Sequence, residues 1–204
     1  GLDRLVGDPV ALLQARLGNA PRDLIFGTEV KFFHLRLFAC SFDRFVSRTV
    51  ALGFSRFILL KRQNFLRKIV SSLVAHQTNK WHRRQGAPLV FSPIHLDVER
   101  VEIDWTERPL LDHLQQFEDD FAQAMAILQP LPCLNLTYET DILPDPRIGY
   151  AKVCRFLGLP VQEGMVRYSR SNPYPLHDLI QNFDEVAQTL QNGPFEWMLF
   201  DEHI

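Results

Sequence analysis

The sequence is short of cysteine, of glycine-rich loops, of long apolar runs and of any excess of positive charge. Three cysteines stand in 204 residues, Cys40, Cys133 and Cys154, with no Cys-x-x-Cys pair. An odd and widely spaced set argues for buried thiols in a reducing compartment rather than a disulfide framework, so a cytoplasmic protein is expected. No apolar run approaches the ~18 residues of a membrane span. The nearest, Phe45 to Leu60, is broken by Arg48 and Arg56, so no transmembrane segment is expected, and the opening residues do not read as a secretory signal. A formal net charge of −2 argues against general nucleic-acid binding, which needs a basic field. No Gly-x-x-x-x-Gly-Lys-Ser/Thr run occurs, which disfavours a generic phosphate-binding or kinase-like domain. Asp112, His113, Glu118, Asp119 and Asp120 match no metal-ligand spacing and read as a solvated helix face, so no metal is expected.

What is present is ordinary globular material: 46% hydrophobic and 23% charged residues, with 16 Phe that imply a densely packed interior. The length fits one domain over 1–204 with a substantial core. Apolar spacing predicts a helix from Asp8 to Leu17, ended near Gly18-Asn19-Ala20-Pro21. Leu24-Ile25-Phe26 and Val30-Lys31-Phe32-Phe33 read as strand, Ser41 to Ala51 as helix, Arg56 to Leu60 as strand, and about Asn64 to Lys80 as a long helix. The alternation Val98 to Ile103 predicts a half-exposed strand. Thr106 reads as the N-cap of the next helix, with Pro109 in its first turn. Leu110, Leu111, Leu114, Phe117, Phe121, Met125 and Leu128 form a stripe assigned to core packing. A strand from Leu134 to Glu139 precedes a proline-rich turn, a helix from about Asp145 to Leu157 closed by Gly158, and a helix from about Leu176 to Leu190. Strands alternating with helices predict an α/β sandwich around a mainly parallel sheet, where ligands sit at the carboxyl ends of strands.

Lys61-Arg62 falls at such an end. The apolar run Ile58-Leu59-Leu60 leads into this cationic pair, which opens a helix carrying Arg67, Lys68 and Ser71. Unpaired N–H groups and a partial positive charge favour anions at a helix N-terminus. Arg62 and Ser71 add two donors, so the stretch predicts a site for a phosphorylated ligand. Arg67 and Lys68 read as surface charges.

Three blocks resemble the sulfotransferases that use 3′-phosphoadenosine 5′-phosphosulfate (PAPS), most closely their bacterial carbohydrate branch of trehalose and Nod-factor type. The first is Leu60 to Ser71, continuing through Ala75-His76-Gln77-Thr78-Asn79-Lys80-Trp81. It is similar to that family's 3′-phosphate motif. The second, Leu136-Thr137-Tyr138-Glu139-Thr140-Asp141-Ile142-Leu143, ends in Arg155-Phe156-Leu157-Gly158-Leu159 and resembles the family's Tyr-Glu-Asp-Leu strand and Phe-Leu-Gly-Leu helix end. The third runs from Asn172-Pro173-Tyr174-Pro175-Leu176 through Ile180-Gln181-Asn182-Phe183-Asp184-Glu185 to Glu196-Trp197-Met198-Leu199.

The resemblance implies a three-layer sandwich like that of P-loop NTPases and PAPS as co-substrate without a required metal. It also implies a carbohydrate or glycolipid hydroxyl as acceptor, and leaves a homodimer open. Arg62 and Ser71 would hold the 3′-phosphate, with a forked, always-charged donor and a neutral hydroxyl. Lys61 would be a neighbouring cation, or the contact itself if the register slips by one. Arg167 and Arg170 stand where the wider family places cations against nucleotide phosphates. Phe26 to His34 resembles the strand leading to the acceptor side. Sulfuryl transfer needs a base and charge-neutralising cations, and Glu29, His34 and Lys31 are the right types. Glu29 stands where the carbohydrate branch more often has Lys, and an ion pair of Glu29 with a neighbour is the structural alternative. A partly exposed structural histidine is the commoner reading for His34, and Trp81 either stacks on a sugar or adenine ring or ends its helix in the core. The family's Arg/Lys-Ser-Gly-Ser/Thr loop for the 5′-phosphosulfate has no counterpart in Gly1 to Phe26, where Val6-Gly7-Asp8-Pro9 lacks the hydroxyls and cations. Because the sequence begins at Gly1 rather than Met, that loop is expected upstream. Its loss would leave a non-catalytic nucleotide-binding or scaffold relative.

Overall fold

The computed structural model describes residues 8–19 and 24–200. The Val6-Gly7 portion of the opening stretch and the expected helix end at Ala20-Pro21 lie outside the described residues. The chain divides into two compact units, one of residues 1–57 and 122–133, the other of residues 58–121 and 134–204.

In the first unit, α1 (Pro9–Gly18), α2 (Phe32–Leu37) and α3 (Phe42–Ala51) pack around Val10, Leu13, Leu35 and Phe45. Asp8 caps α1 by accepting from Val10 N–H at 3.1 Å and binds the Arg48 guanidinium of α3 through both carboxylate oxygens. That guanidinium holds the Asp8 carboxyl below its ordinary pKa. The strands expected at Leu24–Phe26 and Val30–Phe33 are not formed, and α2 begins inside the second of them. Val30–Phe33 finds no bridging strand among the described residues, whereas a helix satisfies its own backbone groups. Its first turn is closed by Lys31 N–H donating to His34 Nδ1 at 3.3 Å, and it turns Leu35 into the core.

In the second unit, β1 (Phe57–Lys61) leads into α4 (Phe65–Thr78), and β2 (Arg83–Arg84) follows. Phe65, Leu66, Ile69, Val70 and Val74 form the buried face of α4. Asn64 caps it by accepting from Arg67 N–H at 2.8 Å and is itself buried, donating to Met198 O at 2.8 Å. Next comes a hairpin, β3 (Val101–Ile103) and β4 (Thr106–Arg108), and then α5 (Leu110–Leu128), whose residues 122–128 belong to the first unit. Thr106 is therefore a strand residue and not the expected helix cap. Asp104 and Trp105 take left-handed φ of 52° and 59°, the geometry of a two-residue hairpin turn, though neither is the usual Asn-Gly. Along α5 the expected stripe is buried at Leu110, Leu114, Phe117, Phe121 and Leu128, but Leu111 and Met125 are exposed. Their spacing fits the helical period, yet they lie at the edges of the stripe. His113 is buried with Nε2 2.8 Å from Val101 O, so the acidic run is not wholly the solvated face expected of it.

After β5 (Cys133–Thr137) the chain makes a π-helical turn at Tyr138–Ile142, then α6 (Pro146–Leu157), β6 (Tyr168–Ser169), α7 (Leu176–Leu179), α8 (Phe183–Leu190) and a 3₁₀ turn at Glu196–Leu199. Gly158 closes α6 in the left-handed conformation, φ 73°, as its position predicts. The single helix expected over 176–190 is interrupted. Ile180 adopts extended geometry and bridges Ile94, while Asn182 accepts from Leu96 N–H and donates to Leu96 O, both at 2.9 Å. Tertiary pairing overrides helical periodicity there.

The described residues are mixed helix and strand, 49% and 12%, with three two-stranded sheets, the small parallel β1–β5 and the antiparallel β2–β6 and β3–β4. This is a coarser architecture than the expected three-layer sandwich. Cys154 is buried and Cys40 and Cys133 half-buried, all free thiols. No helix among the described residues is long and apolar enough to cross a membrane.

Asn64 joins a cap to a buried hydrogen bond. Asn64→Ala is expected to destabilise the protein by about 1–3 kcal/mol, read from urea unfolding.

Candidate anion-binding cavity

The end of β1 places Lys61 and Arg62 at the mouth of α4, where the sequence predicts an anion on the helix N-terminus. The structure puts an internal carboxylate there. Glu139, in the π-helical turn after β5, accepts from Gln63 N–H at 3.1 and 3.0 Å and from Asn64 N–H at 3.2 Å. Asn64 Oδ1 accepts from the Arg67 amide in the first turn of α4. The group of this junction that lines the cavity is the Arg62 side chain.

Arg62 is held from two sides. Its Nε lies 3.9 Å from Glu139 Oε1, and its guanidinium carbon is 4.6 Å from the centre of the Tyr138 ring. Consecutive residues of one turn thus supply an ion pair and a cation–π contact. Arg62 lines a cavity of about 930 Å³, and Ser71, nine positions on, lines the same cavity. The two residues predicted to share a ligand are brought together.

A second wall comes from residues 164–172, including Met165, Arg167, Tyr168 and Arg170. A third comes from the start of α6, with Pro146, Arg147 and Tyr150, and His82 completes the basic set. Arg62, Arg147, Arg167 and Arg170 all line the cavity, while no carboxylate does so among the described residues. In a chain of net charge −2 this is a local concentration of cations. Aromatic rings and the apolar Ile142, Leu143 and Val166 alternate with them, which suits a ligand with an anionic and a flat apolar part. The Tyr150 hydroxyl is pushed above its ordinary pKa, chiefly by a hydrogen bond with the Cys154 side chain one turn along α6.

The remaining predicted residues lie elsewhere. Lys61 turns away from the cavity to pair with Glu118 at 2.8 Å, over the Phe65 and Phe121 rings. Trp81 is half-exposed, packs edge-on against His76 with ring centres 4.7 Å apart, and is not in the cavity wall. Glu29, Lys31 and His34 belong to the first unit. Glu29 and Lys31 form an exposed ion pair at 3.9 Å, the structural alternative weighed for them, and His34 closes the first turn of α2.

Arg67 is not the surface charge expected: only 3% exposed, it donates from its guanidinium to Asn172 O at 2.5 Å. Lys68 sits 3.7 Å over the Phe117 ring. The wall residues Arg147, His82, Tyr150 and Tyr168 were not foreseen. The run Arg167-Tyr168-Ser169-Arg170-Ser171, alternating cations with hydroxyl side chains, was the one local signal that pointed to part of this wall.

The turn carrying Tyr138 and Glu139 is braced from beneath. Buried Asp141 accepts from Thr137 N–H at 2.7 Å and from Lys152 Nζ at 2.5 Å. On α6, Gly149 lies so close that a Cβ there would stand 3.0 Å from Asp141 O and 2.6 Å from Ile142 Cδ1.

No known protein family, curated protein or solved structure matches the chain.

The Lys152 ammonium, followed by the Thr137 amide, lowers the Asp141 pKa in the folded protein. A carboxyl depressed on folding contributes stability above its unfolded pKa, and that contribution is lost as pH falls through the lower folded value. Thermal melts should therefore show Asp141→Asn less stable than wild type at pH 7, the gap narrowing as pH falls below about 4, the ordinary carboxyl range.

Proposed function

We propose that the protein is a sulfotransferase that moves a sulfuryl group from PAPS to a hydroxyl of a carbohydrate or glycolipid acceptor. The observation that carries this reading is the convergence of Arg62 and Ser71 on one cavity with Arg167 and Arg170. Arg62 and Ser71 also belong to the stretch that carries the resemblance of the sequence to the family, and Arg167 and Arg170 fit by charge and position. The three-layer arrangement around a larger parallel sheet, of which the β1–β5 pairing would be a part, belongs to the same proposal, as does a cytoplasmic setting for three free thiols.

In this reading Arg62 gives forked hydrogen bonds to the nucleotide 3′-phosphate and Ser71 adds a hydroxyl donor. Arg167 and Arg170 neutralise further phosphate charge. Tyr138, Tyr150 and Tyr168 offer flat surfaces to the adenine. Transfer is an in-line displacement. The acceptor oxygen loses its proton to a base and bonds to sulfur, while the bond from sulfur to the 5′-phosphate oxygen breaks. Sulfated acceptor and 3′,5′-adenosine bisphosphate leave. Glu29 and His34 are the candidates for the base, Lys31 and Trp81 for acceptor contacts. His34 could serve only through Nε2, because Nδ1 accepts from Lys31 N–H.

One observation favours a second reading, a nucleotide-binding relative without transfer activity. The cavity wall accounts for gripping a nucleotide, whereas Glu29 is engaged with Lys31 and His34 with its helix turn.

Calorimetric titration should detect 3′,5′-adenosine bisphosphate, with Arg62→Ala weakening it by about 1–3 kcal/mol, the loss of a hydrogen bond to a charged group. Absence of binding to the wild-type protein overturns both readings. Transfer of labelled sulfate to a glycan panel separates them: incorporation establishes the enzyme, and binding without incorporation on any acceptor favours the relative.

A further inference from the structure

Residues 164–172 form a large part of the cavity wall, yet their regular structure amounts to the two residues of β6. What holds this segment is a set of bonds to its backbone carbonyls. Arg83 donates from Nε to Arg170 O at 2.8 Å and from Nη1 to Ala87 O at 2.7 Å. Arg67, one helical turn before Ser71 on α4, donates to Asn172 O. Gln85 N–H donates to Arg167 O at 2.9 Å, and Arg83 and Arg84 pair with Ser169 and Tyr168. Every anchor takes main chain, which leaves the Arg167 and Arg170 side chains to the cavity.

We propose that Arg83 is a positioning residue, whose forked guanidinium fixes this segment so that Arg167 and Arg170 present their cations to the bound anion; Arg67 secures the far end. The anion's identity rests on the nucleotide reading above, but the anchoring does not. The proposal depends on shape as well as charge. A guanidinium offers Nε and Nη1 in one rigid plane and so spans the Arg170 and Ala87 carbonyls together, whereas an ammonium is a single point donor.

The test uses Arg83→Met and Arg83→Lys, since Arg67 is buried and its replacement risks the fold. Trypsin cleavage after Arg167 and Arg170, followed by mass spectrometry on the intact chain, reads the anchoring without a ligand. Titration with 3′,5′-adenosine bisphosphate reads its consequence. Both variants are expected to be cut faster at these two bonds and to bind the bisphosphate about tenfold more weakly, the worth of a lost charge-assisted hydrogen bond. Wild-type behaviour of Arg83→Lys in both measurements overturns the proposal, because charge at a distance is then sufficient. Unchanged cleavage in both variants also overturns it. Faster cleavage in both variants of a protein that binds no bisphosphate supports the anchoring and removes the nucleotide reading alone.

Discussion

The site depends on one carboxylate. Glu139 accepts from the Gln63 and Asn64 amides that lead into α4, and in doing so it ties the turn after β5 to the junction that follows β1. Anions favour a helix N-terminus. Here a carboxylate of the protein itself lies at the lead-in to the helix, and it borders Arg62. The guanidinium, backed by Glu139 and by the Tyr138 ring, is what the cavity receives. Asp141 and the close approach of Gly149 keep the turn in place.

Around that point the cavity is assembled from segments far apart in sequence, and they are fastened by different means. Ser71 is carried on a regular helix fixed by fully buried Phe65, Leu66, Ile69 and Val70. The 164–172 wall is fastened through its carbonyls by arginines from α4 and β2. Arginine thus plays two parts in one small region. Arg67 and Arg83 spend their donors on main chain, while Arg62, Arg147, Arg167 and Arg170 line the cavity. The separation of roles is geometric, since all six side chains carry the same charge.

Local signals made much of the helical framework legible. Asp8, Asn64 and Asp145 cap α1, α4 and α6 where an acceptor side chain precedes an apolar period, and Gly158 ends α6 where a left-handed residue is needed. The pairing of Arg62 with Ser71 was legible too, from the cation at a strand end ahead of a helix that carries the serine and from the resemblance that this stretch bears. Failures came where partners distant in sequence decide. The Val30–Phe33 run has a strand-like composition but no strand to pair with among the described residues, and its second half enters α2. Leu176–Leu190 has a continuous helical pattern, but Ile94 and Leu96 claim the backbone at Ile180–Asn182. Arg67 looks like an exposed helix cation until Asn172 O arrives from 105 positions away. Arg147, His82 and Tyr150 carry no motif at all; only the fold brings them to the wall.

The Asn182 side chain stands in for a strand. Its amide accepts from Leu96 N–H and donates to Leu96 O, the two bonds that a neighbouring strand would make. A peptide group imitated by a side chain has no chain running on from it. The extended segment at Ile94–Leu96 is therefore paired by backbone of Leu179 and Gln181 at Ile94 and by a side chain at Leu96, where the pairing ends. Its Leu96 groups are closed to any strand from another molecule, one of the ways a protein blunts an edge that might otherwise template association.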